Sequence, residues 1–197
     1  MLSTKKRTTK KRALNVQTRK SHGVGRTNFS KDAVYKQHVY DKNTFVKILA
    51  YTKQIKLSDM VLDPKATGRM MYVINNDNPI IPFICDIKLI NQVRKITGNQ
   101  KLKPNLEIPI EYRKYVIGSY MDWHKDTPML PDQLQYECVI TLTNSGDSLT
   151  LLQYKNGIKK LSTKPNSLLL VRANGITHKV TPLAKGERTI LKIVFSE

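Results

Sequence analysis

The stretch Tyr115-Val-Ile-Gly-Ser-Tyr-Met-Asp-Trp-His124-Lys-Asp126 decides how the rest of the chain is interpreted. It places an imidazole and a carboxylate two residues apart, after a segment that is broadly extended. A second imidazole, that of His178, comes 54 positions after the first, and the guanidinium of Arg188 comes 10 positions after that. Two histidines and one carboxylate on one face of a metal ion leave about three coordination positions open. The pattern therefore predicts a metal site that can accept further ligands.

The sequence around these residues is typical of an all-β structure. From Pro104 to the C-terminus, short apolar runs alternate with turn residues, and no apolar periodicity of helical length occurs. Roughly eight short strands with close turns indicate a sandwich or a jelly roll. His178 follows the apolar run Leu168–Val171, and Arg188 begins the final apolar run. Neighbouring antiparallel strands of such a fold could bring both residues into one cavity.

Two turns in this region are predicted to close β-hairpins. The turn Asn144–Asp147 lies between the predicted strands Glu137–Thr143 and Ser148–Tyr154. The next turn, Lys155–Gly157, contains Asn-Gly, which is the strongest short signal for a hairpin. Each turn therefore predicts pairing between the two strands that it connects.

The residues before the β-rich region predict helices that support a sheet. Apolar residues recur every three or four positions over 45–55, and either Asp41 or Asn43 can cap the first exposed amides. A second helix is predicted to begin after the cap residue Asn78 and to stop at Gly98. We expect these helices to cover one face of the sheet and to carry no chemistry.

The net charge is the strongest signal in the composition. The chain has 34 Lys and Arg residues against 15 Asp and Glu residues, a formal net charge of +19. Ten of the basic residues and none of the acidic ones fall in residues 1–31, which we expect to be a disordered basic tail. The excess charge favours a polyanionic partner. The tail is predicted to be either a nucleic-acid-binding arm or import signal, or a solubilising extension without a partner.

Cysteine content and hydropathy indicate in which cellular compartment the protein is expected. Cys85 and Cys138 are the only cysteines and lie in apolar runs, so a disulfide framework is not expected. Free thiols are typical of a reducing interior. No apolar run reaches the length of a membrane span, and the N-terminus lacks the apolar stretch of a secretory signal. We expect an intracellular protein of the cytoplasm or the nucleus that is neither secreted nor bound to a membrane.

Two sequence blocks resemble the Fe(II)/2-oxoglutarate-dependent dioxygenases, in particular their prolyl-hydroxylase branch. The blocks read Tyr115-x2-Gly118-x-Tyr120-x3-His124-x-Asp126 and His178-Lys-Val180-x-Pro182-x3-Gly186-x-Arg188. The resemblance covers roughly residues 104–197. It implies a mainly β (α+β) fold, the double-stranded β-helix or jelly roll, with supporting N-terminal helices. The implied organisation is a tail over 1–31 and a single dioxygenase domain over 32–197, with helical support over about 40–100 and the jelly-roll core over about 104–197.

The resemblance also implies a role for each residue of the pattern. His124, Asp126 and His178 would be the catalytic iron ligands, Arg188 would pair with the distal carboxylate of 2-oxoglutarate, and Tyr115 would donate a hydrogen bond to that carboxylate. The implied cofactors are Fe(II), 2-oxoglutarate as cosubstrate, and ascorbate. Physical chemistry agrees, because an anion in a partly desolvated pocket needs a compensating charge and donors. In the simpler alternatives, Arg188 lies in a surface turn and Tyr115 is a core aromatic whose hydroxyl is satisfied elsewhere.

The implied activity is hydroxylation of a protein or peptide side chain, such as proline. Three alternatives stay open: the same chemistry on a nucleic-acid base held by the basic tail and body, a cupin-like metal site without redox chemistry, and a non-catalytic nucleic-acid-binding jelly roll. The alkylation-repair branch has a second arginine where this chain has Val194, which disfavours direct demethylation of nucleic acids. Lys192 shares the strand parity of Arg188, so it is expected either to enter the cavity or to emerge at its rim.

Overall fold

A computed structural model describes residues 32–130 and 132–197, so the basic tail expected over 1–31 lies outside the described residues. The helices are α1 (Lys42–Thr52), α2 (Ile81–Ile84) and α3 (Ile87–Thr97), with a 3₁₀ turn at Leu57–Asp59. The strands are β1 (Ala33–Gln37), β2 (Val61–Leu62), β3 (Met70–Ile74), β4 (Lys103–Pro104), β5 (Ile110–Tyr115), β6 (Met121–His124), β7 (Tyr136–Asn144), β8 (Thr150–Tyr154), β9 (Gly157–Leu161), β10 (Ser167–Arg172), β11 (Thr177–Val180) and β12 (Arg188–Ser196). None of these helices is long and apolar enough to cross a membrane.

The strands form two antiparallel sheets that pack face to face. The large sheet has the order β1-β10-β7-β12-β5-β3-β2, and β4 pairs with the end of β12. The small sheet has the order β6-β11-β8-β9. Side chains from both sheets, such as Leu152 and Leu169, share one apolar cluster between them. The predicted mainly β jelly-roll fold is confirmed.

The central strand β12 separates the two environments of the large sheet. All nine of its residues are buried. Because successive side chains of a strand point to opposite faces, Leu191, Ile193 and Phe195 share one face. They belong to the apolar cluster that contains Leu89 and Val93 of α3. The alternate residues, from Arg188 onward, point between the sheets, so this strand brings charge into the interior while its other face binds the helices.

The first predicted helix is present with its expected cap. The Oδ1 atom of Asp41 accepts a hydrogen bond of 3.0 Å from the amide of Thr44 in the first turn of α1. The predicted stop at Gly98 is also confirmed, since this residue has φ of 70° and ends α3 in the left-handed conformation that glycine tolerates.

The prediction of one continuous second helix was wrong. The chain forms α2 and α3 instead, and Asp86 between them is extended and caps α3 by accepting from the amide of Lys88. Asn78 lies before α2 and accepts from the amide of Ile80, so it does not occupy the cap position. A short polar side chain that bonds to a nearby amide offers the backbone an alternative to a continuous helix.

The prediction of a hairpin at Asn144–Asp147 was also wrong. Strand β7 lies in the large sheet and β8 in the small one, so this turn carries the chain from one sheet to the other. The carboxylate of Asp147 accepts from the amides of Ala184 and Lys185. The hairpin at Lys155–Gly157 is confirmed, because β8 and β9 are paired neighbours in the small sheet.

We expect Leu191→Ala to lower the free energy of unfolding by about 2–5 kcal/mol, since it leaves a cavity against the helices. The side chain of Leu191 is 0% exposed. A matched control is Ile87→Ala in α3, whose side chain is 61% exposed and whose replacement should change stability by no more than about 0.5 kcal/mol. Urea unfolding followed by circular dichroism measures both, and equal losses would contradict the packing described above.

Candidate metal and anion site

The structure brings His124, Asp126 and His178 together. His124 at the end of β6 is directly opposite His178 in β11, and Asp126 lies just beyond β6. The Nε2 atom of His124 is 3.6 Å from Oδ1 of Asp126, and the Nε2 atom of His178 is 3.7 Å from Oδ2. One ligand atom from each residue lies within 4.8 Å of the others. The two imidazole nitrogens and the carboxylate therefore converge on one point.

Backbone carbonyls orient both imidazoles. The Nδ1 atom of His124 is 2.7 Å from the carbonyl oxygen of Asp122, and the Nδ1 atom of His178 is 3.2 Å from that of Ile176. A carbonyl oxygen only accepts, so each Nδ1 carries the proton in these bonds. In the neutral imidazole each Nε2 then has a lone pair available for a metal ion, and in the imidazolium it carries a proton that faces Asp126. Such hydrogen bonds fix the tautomer and ring orientation of histidines that bind metals.

The three groups perturb one another's protonation. Burial raises the pKa of Asp126, but the hydrogen bond from His124 and the charges of both histidines outweigh burial and hold that pKa below its usual value. Burial lowers the pKa of His178, against the attraction of Asp126. Burial acts on His124 in the same sense, but Asp126 and the carbonyl of Asp122 outweigh it and raise its pKa. An ionised carboxylate between two imidazoles attracts a cation.

Arg188 is a buried cation without an anionic partner among the described residues. It is 2% exposed and lies directly opposite Tyr115 of β5. Its Nη1 atom donates to Oγ1 of Thr150 at 3.2 Å, while its Nε atom has no hydrogen-bond partner. Burial lowers the pKa of the guanidinium, yet an arginine stays protonated in proteins. The alternative in which Arg188 lies on the surface is therefore wrong.

Tyr115 is held by a residue that the sequence did not reveal. Its side chain is 1% exposed, and its hydroxyl accepts a hydrogen bond of 2.5 Å from Nη1 of Arg69. Arg69 is held in turn by Asp63, whose Oδ2 atom lies 2.9 Å from Nε and 2.7 Å from Nη2. Arg69 and Arg188 both lie against the same ring, at 5.2 and 5.5 Å from its centroid.

Lys192 is enclosed rather than exposed at a rim. It is 0% exposed, and its Nζ atom is 3.5 Å from Oε1 of Glu111 and 3.4 Å from Oε1 of Glu137. The hydrogen bonds and charges of these two carboxylates compensate the buried ammonium. Lys192 therefore faces the space between the sheets, but its ammonium group is paired with Glu111 and Glu137 of the same chain.

His124, Asp126, His178, Tyr115 and Arg188 line one cavity between the sheets. A second, outer cavity of about 240 Å³ opens beside His124 and Asp126. Its walls include Arg113, Glu137 and the exposed lysines Lys65 and Lys125. Burial raises the pKa of Glu137, and the negative charge of Asp126 adds to this effect. This outer cavity connects the candidate metal site with solvent.

The charged residues around Tyr115 were missed because a sequence does not state which strands are neighbours. Arg69 reaches the site because β3 pairs with β5, and the residues of these two segments do not predict that they pair. The sequence of β5 did contain one indication of these charges, because Glu111 and Arg113 alternate with the same period as Tyr115 and so lie on the same face of the strand. Charged residues on an inward-facing parity indicate a polar interior.

The comparisons with solved structures connect this geometry to a known fold. A prolyl-4-hydroxylase from Pseudomonas putida superposes with a TM-score of 0.68 at 12% identity, over 85% of this chain and 94% of that one. HygX from Streptomyces hygroscopicus, solved with nickel and 2-oxoglutarate bound, gives 0.64 at 10% identity, over 84% and 83% of the two chains. A Trichoplax adhaerens prolyl hydroxylase, solved with a peptide fragment of hypoxia inducible factor, gives 0.61 at 16% identity, over 85% and 84%.

No protein-family model matches the chain, and no curated protein does. The likeness is thus one of architecture: the chain has the fold of the 2-oxoglutarate/Fe(II) oxygenases, among them several prolyl hydroxylases. The resemblance seen in the two sequence blocks is supported at the level of the fold.

We expect Arg188→Met to raise the free energy of unfolding of the ligand-free protein by about 1–3 kcal/mol, because it removes a buried charge that lacks a counter-charge. Arg113→Met is the matched control. Arg113 is also buried, but its Nε atom lies 2.7 Å from Glu111 and 3.4 Å from Asp63, so its loss should destabilise the protein. Urea unfolding without metal or organic anions measures both, and a destabilised Arg188→Met protein would show that its charge is compensated internally.

Proposed function

We propose that this protein is an Fe(II)- and 2-oxoglutarate-dependent dioxygenase that hydroxylates a protein side chain, such as proline. One observation carries the proposal. A single cavity is lined by a convergent pair of histidines and a carboxylate and by a buried guanidinium that has no anionic partner among the described residues. The first group suits a divalent metal ion and the second suits a carboxylate.

The donor set fits ferrous iron. Two imidazoles and one carboxylate on one side of an ion are the ligands used by non-haem Fe(II) oxygenases, with the remaining positions open. In the proposal, His124, Asp126 and His178 hold the metal. When bound, iron and 2-oxoglutarate together supply the oxidising chemistry that places one oxygen atom of O₂ in a substrate C–H bond and yields succinate and carbon dioxide.

The anion end of the cavity fits the distal carboxylate of 2-oxoglutarate. Arg188 offers a planar fork of donors that matches a carboxylate, and its Nε–H has no hydrogen-bond acceptor among the residues that the structure describes. Thr150 fixes the orientation of the guanidinium through the bond to Nη1. Tyr115 adds a hydroxyl next to Arg188. The residues present therefore hold a dicarboxylate by charge at one end and leave its other end for the metal.

Part of the cavity wall is apolar, and this suits a reactive oxidant. The aliphatic side chains that line the cavity are Val139, Leu169, Val171, Val180 and Ile190. They exclude water, which strengthens electrostatic interactions inside the cavity and limits side reactions. The substrate enters through the outer cavity, which reaches His124 and Asp126 from the solvent side.

A protein or peptide substrate is the leading choice. It is supported by two similar folds, a prolyl-4-hydroxylase and a prolyl hydroxylase solved with a peptide fragment. A nucleic-acid base is the second choice, and the net charge of +19 favours it. The basic tail would then hold phosphates, although residues 1–31 lie outside the described structure.

A reducing compartment and ascorbate complete the proposal. Ferrous iron must stay reduced, and the interior of a cell provides such conditions. Cys85 and Cys138 are free thiols, which is compatible with the cytoplasm or the nucleus. Ascorbate would restore iron that has been oxidised without substrate turnover.

We expect His124→Ala and Asp126→Ala to lose metal affinity and to reduce succinate formation at least about 100-fold, since each removes a ligand. His38→Asn is the control, because His38 is exposed, lies far from the site in the chain and has φ of 57°, which asparagine tolerates. Calorimetric titration with Ni²⁺ measures metal affinity apart from turnover. Wild-type succinate formation in either alanine variant would refute the ligand assignment.

Mass spectrometry separates the two substrate classes. The protein is incubated with iron, ascorbate and 2-oxoglutarate together with either proline-containing peptides or oligonucleotides, and products are examined for the mass of one added oxygen atom. We expect the addition on peptides and its absence with His124→Ala. Oxidation of oligonucleotides alone, with binding that weakens steeply as salt is raised, would favour the nucleic-acid alternative.

A further inference from the structure

Two guanidinium groups flank Tyr115. Arg69 is paired with a carboxylate, and among the described residues Arg188 is not. Asp63 neutralises Arg69 through contacts of 2.9 Å to Nε and 2.7 Å to Nη2, and both side chains are 1% exposed. The Nε atom of that guanidinium therefore donates to Asp63, and the Nη2 atom is in ion-pair contact with the same carboxylate oxygen without a hydrogen bond. The Nη1 atom donates to the hydroxyl of Tyr115. Among the described residues, the hydrogen-bond partner of Arg188 is the neutral hydroxyl of Thr150, and no carboxylate pairs with it. The two arginines consequently have different tasks although they lie against the same ring.

The bond from Arg69 determines which way Tyr115 can donate. A guanidinium only donates, so the oxygen of Tyr115 is the acceptor in this bond. The phenol proton must then point elsewhere, and no acceptor for it occurs among the described residues. Tyr115 and Arg188 line the same cavity. The hydroxyl proton and the free guanidinium donors are thus available to one anion.

We propose that Asp63 and Arg69 are positioning residues that make Tyr115 a directed donor to the distal carboxylate of the cosubstrate. This proposal rests on the proposed function, because it takes 2-oxoglutarate as the ligand. Asp63 holds the guanidinium of Arg69, Arg69 fixes and polarises the hydroxyl of Tyr115, and the hydroxyl proton is directed at the anion. A donor bonded to a cation is a stronger donor than an isolated hydroxyl.

The backbone supports this arrangement. The amide of Asp63 donates to the carbonyl of Arg69 at 2.8 Å, which closes the β2–β3 connection, and the amide of Lys65 donates to the carboxylate of Asp63 at 2.9 Å. Burial raises the pKa of Asp63, but Arg69 and the amide of Lys65 outweigh burial and hold it below its usual value. The carboxylate therefore stays ionised beneath Arg69, and the guanidinium does not compete with Arg188 for the ligand.

A double-mutant cycle on the Ni²⁺-loaded protein tests the proposal without turnover. Calorimetry measures the affinity for 2-oxoglutarate in the wild type, in Tyr115→Phe, in Arg69→Met and in the double variant. We expect each single change to weaken binding roughly tenfold, the usual cost of one hydrogen bond to a charged group. Because Arg69 acts through the hydroxyl, Arg69→Met should weaken binding less than about twofold in the Tyr115→Phe background.

Additional variants and a ligand analogue separate the loss of this hydrogen bond from a general disturbance of the cavity. Arg69→Met removes the closest cation from the buried Asp63 and leaves only the Nε atom of Arg113, at 3.4 Å. Asp63→Asn/Arg69→Met is therefore made as well and should fold and reproduce the tenfold loss. 2-Oxobutyrate lacks the distal carboxylate, so its affinity should be unchanged in every variant. Lys114→Met is the matched control, since Lys114 is the neighbour of Tyr115 in β5 but faces away and pairs with Glu187; its affinity for 2-oxoglutarate should equal that of the wild type.

The outcomes distinguish this proposal from the proposed function. A wild type that binds Ni²⁺ but not 2-oxoglutarate overturns both. A wild type that binds 2-oxoglutarate, with a tenfold effect of Arg69→Met that persists in the Tyr115→Phe background, overturns only the positioning role. An equal loss of affinity for 2-oxobutyrate would likewise show that Arg69 acts on the cavity as a whole.

Discussion

The main electrostatic feature of the interior is the buried guanidinium of Arg188, which has no counter-charge among the described residues. Every other buried guanidinium or ammonium described between the sheets has a carboxylate beside it: Arg69 has Asp63, Arg113 has Glu111, and Lys192 has Glu137. In the described part of the chain, Arg188 has a hydrogen bond to Thr150 and no carboxylate beside it. Removing an ion from water costs several kcal/mol unless a counter-charge repays it. Among the described residues, the other buried basic side chains between the sheets are paired, so the unpaired guanidinium of Arg188 suits an anion supplied from outside.

Strand register produces this arrangement. Arg188 of β12 is opposite Tyr115 of β5, and Lys192 is opposite Glu111, with Ile190 between the two layers. The interior face of these strands therefore has Arg188 and Tyr115 at one end, Ile190 opposite Arg113 next to them, and Lys192 with its two carboxylate partners beyond. A slip of one residue would turn all of these side chains toward the helices and the apolar cluster that they form.

The sequence pointed to most of the residues that converge at the candidate site and to fewer of their neighbours. His124, Asp126, His178 and Arg188 were selected as candidates because their chemistry and spacing are distinctive even without a known topology. The Asn144–Asp147 turn was misassigned because a turn between successive strands looks the same whether the chain stays in one sheet or crosses to the other. Arg69 was overlooked because its proximity to Tyr115 depends on the pairing of β3 with β5, which is a long-range property that local patterns do not encode.

The two halves of the site belong to different sheets. The two histidines lie in the small sheet, on β6 and β11, whereas Arg188 and Tyr115 lie in the large sheet, on β12 and β5. A molecule that touches both ends would act as a cross-link between the layers of the sandwich. Metal and diacid would then strengthen each other's attachment, and separating the layers would release both together, so that resistance to heat would report how fully the centre is loaded.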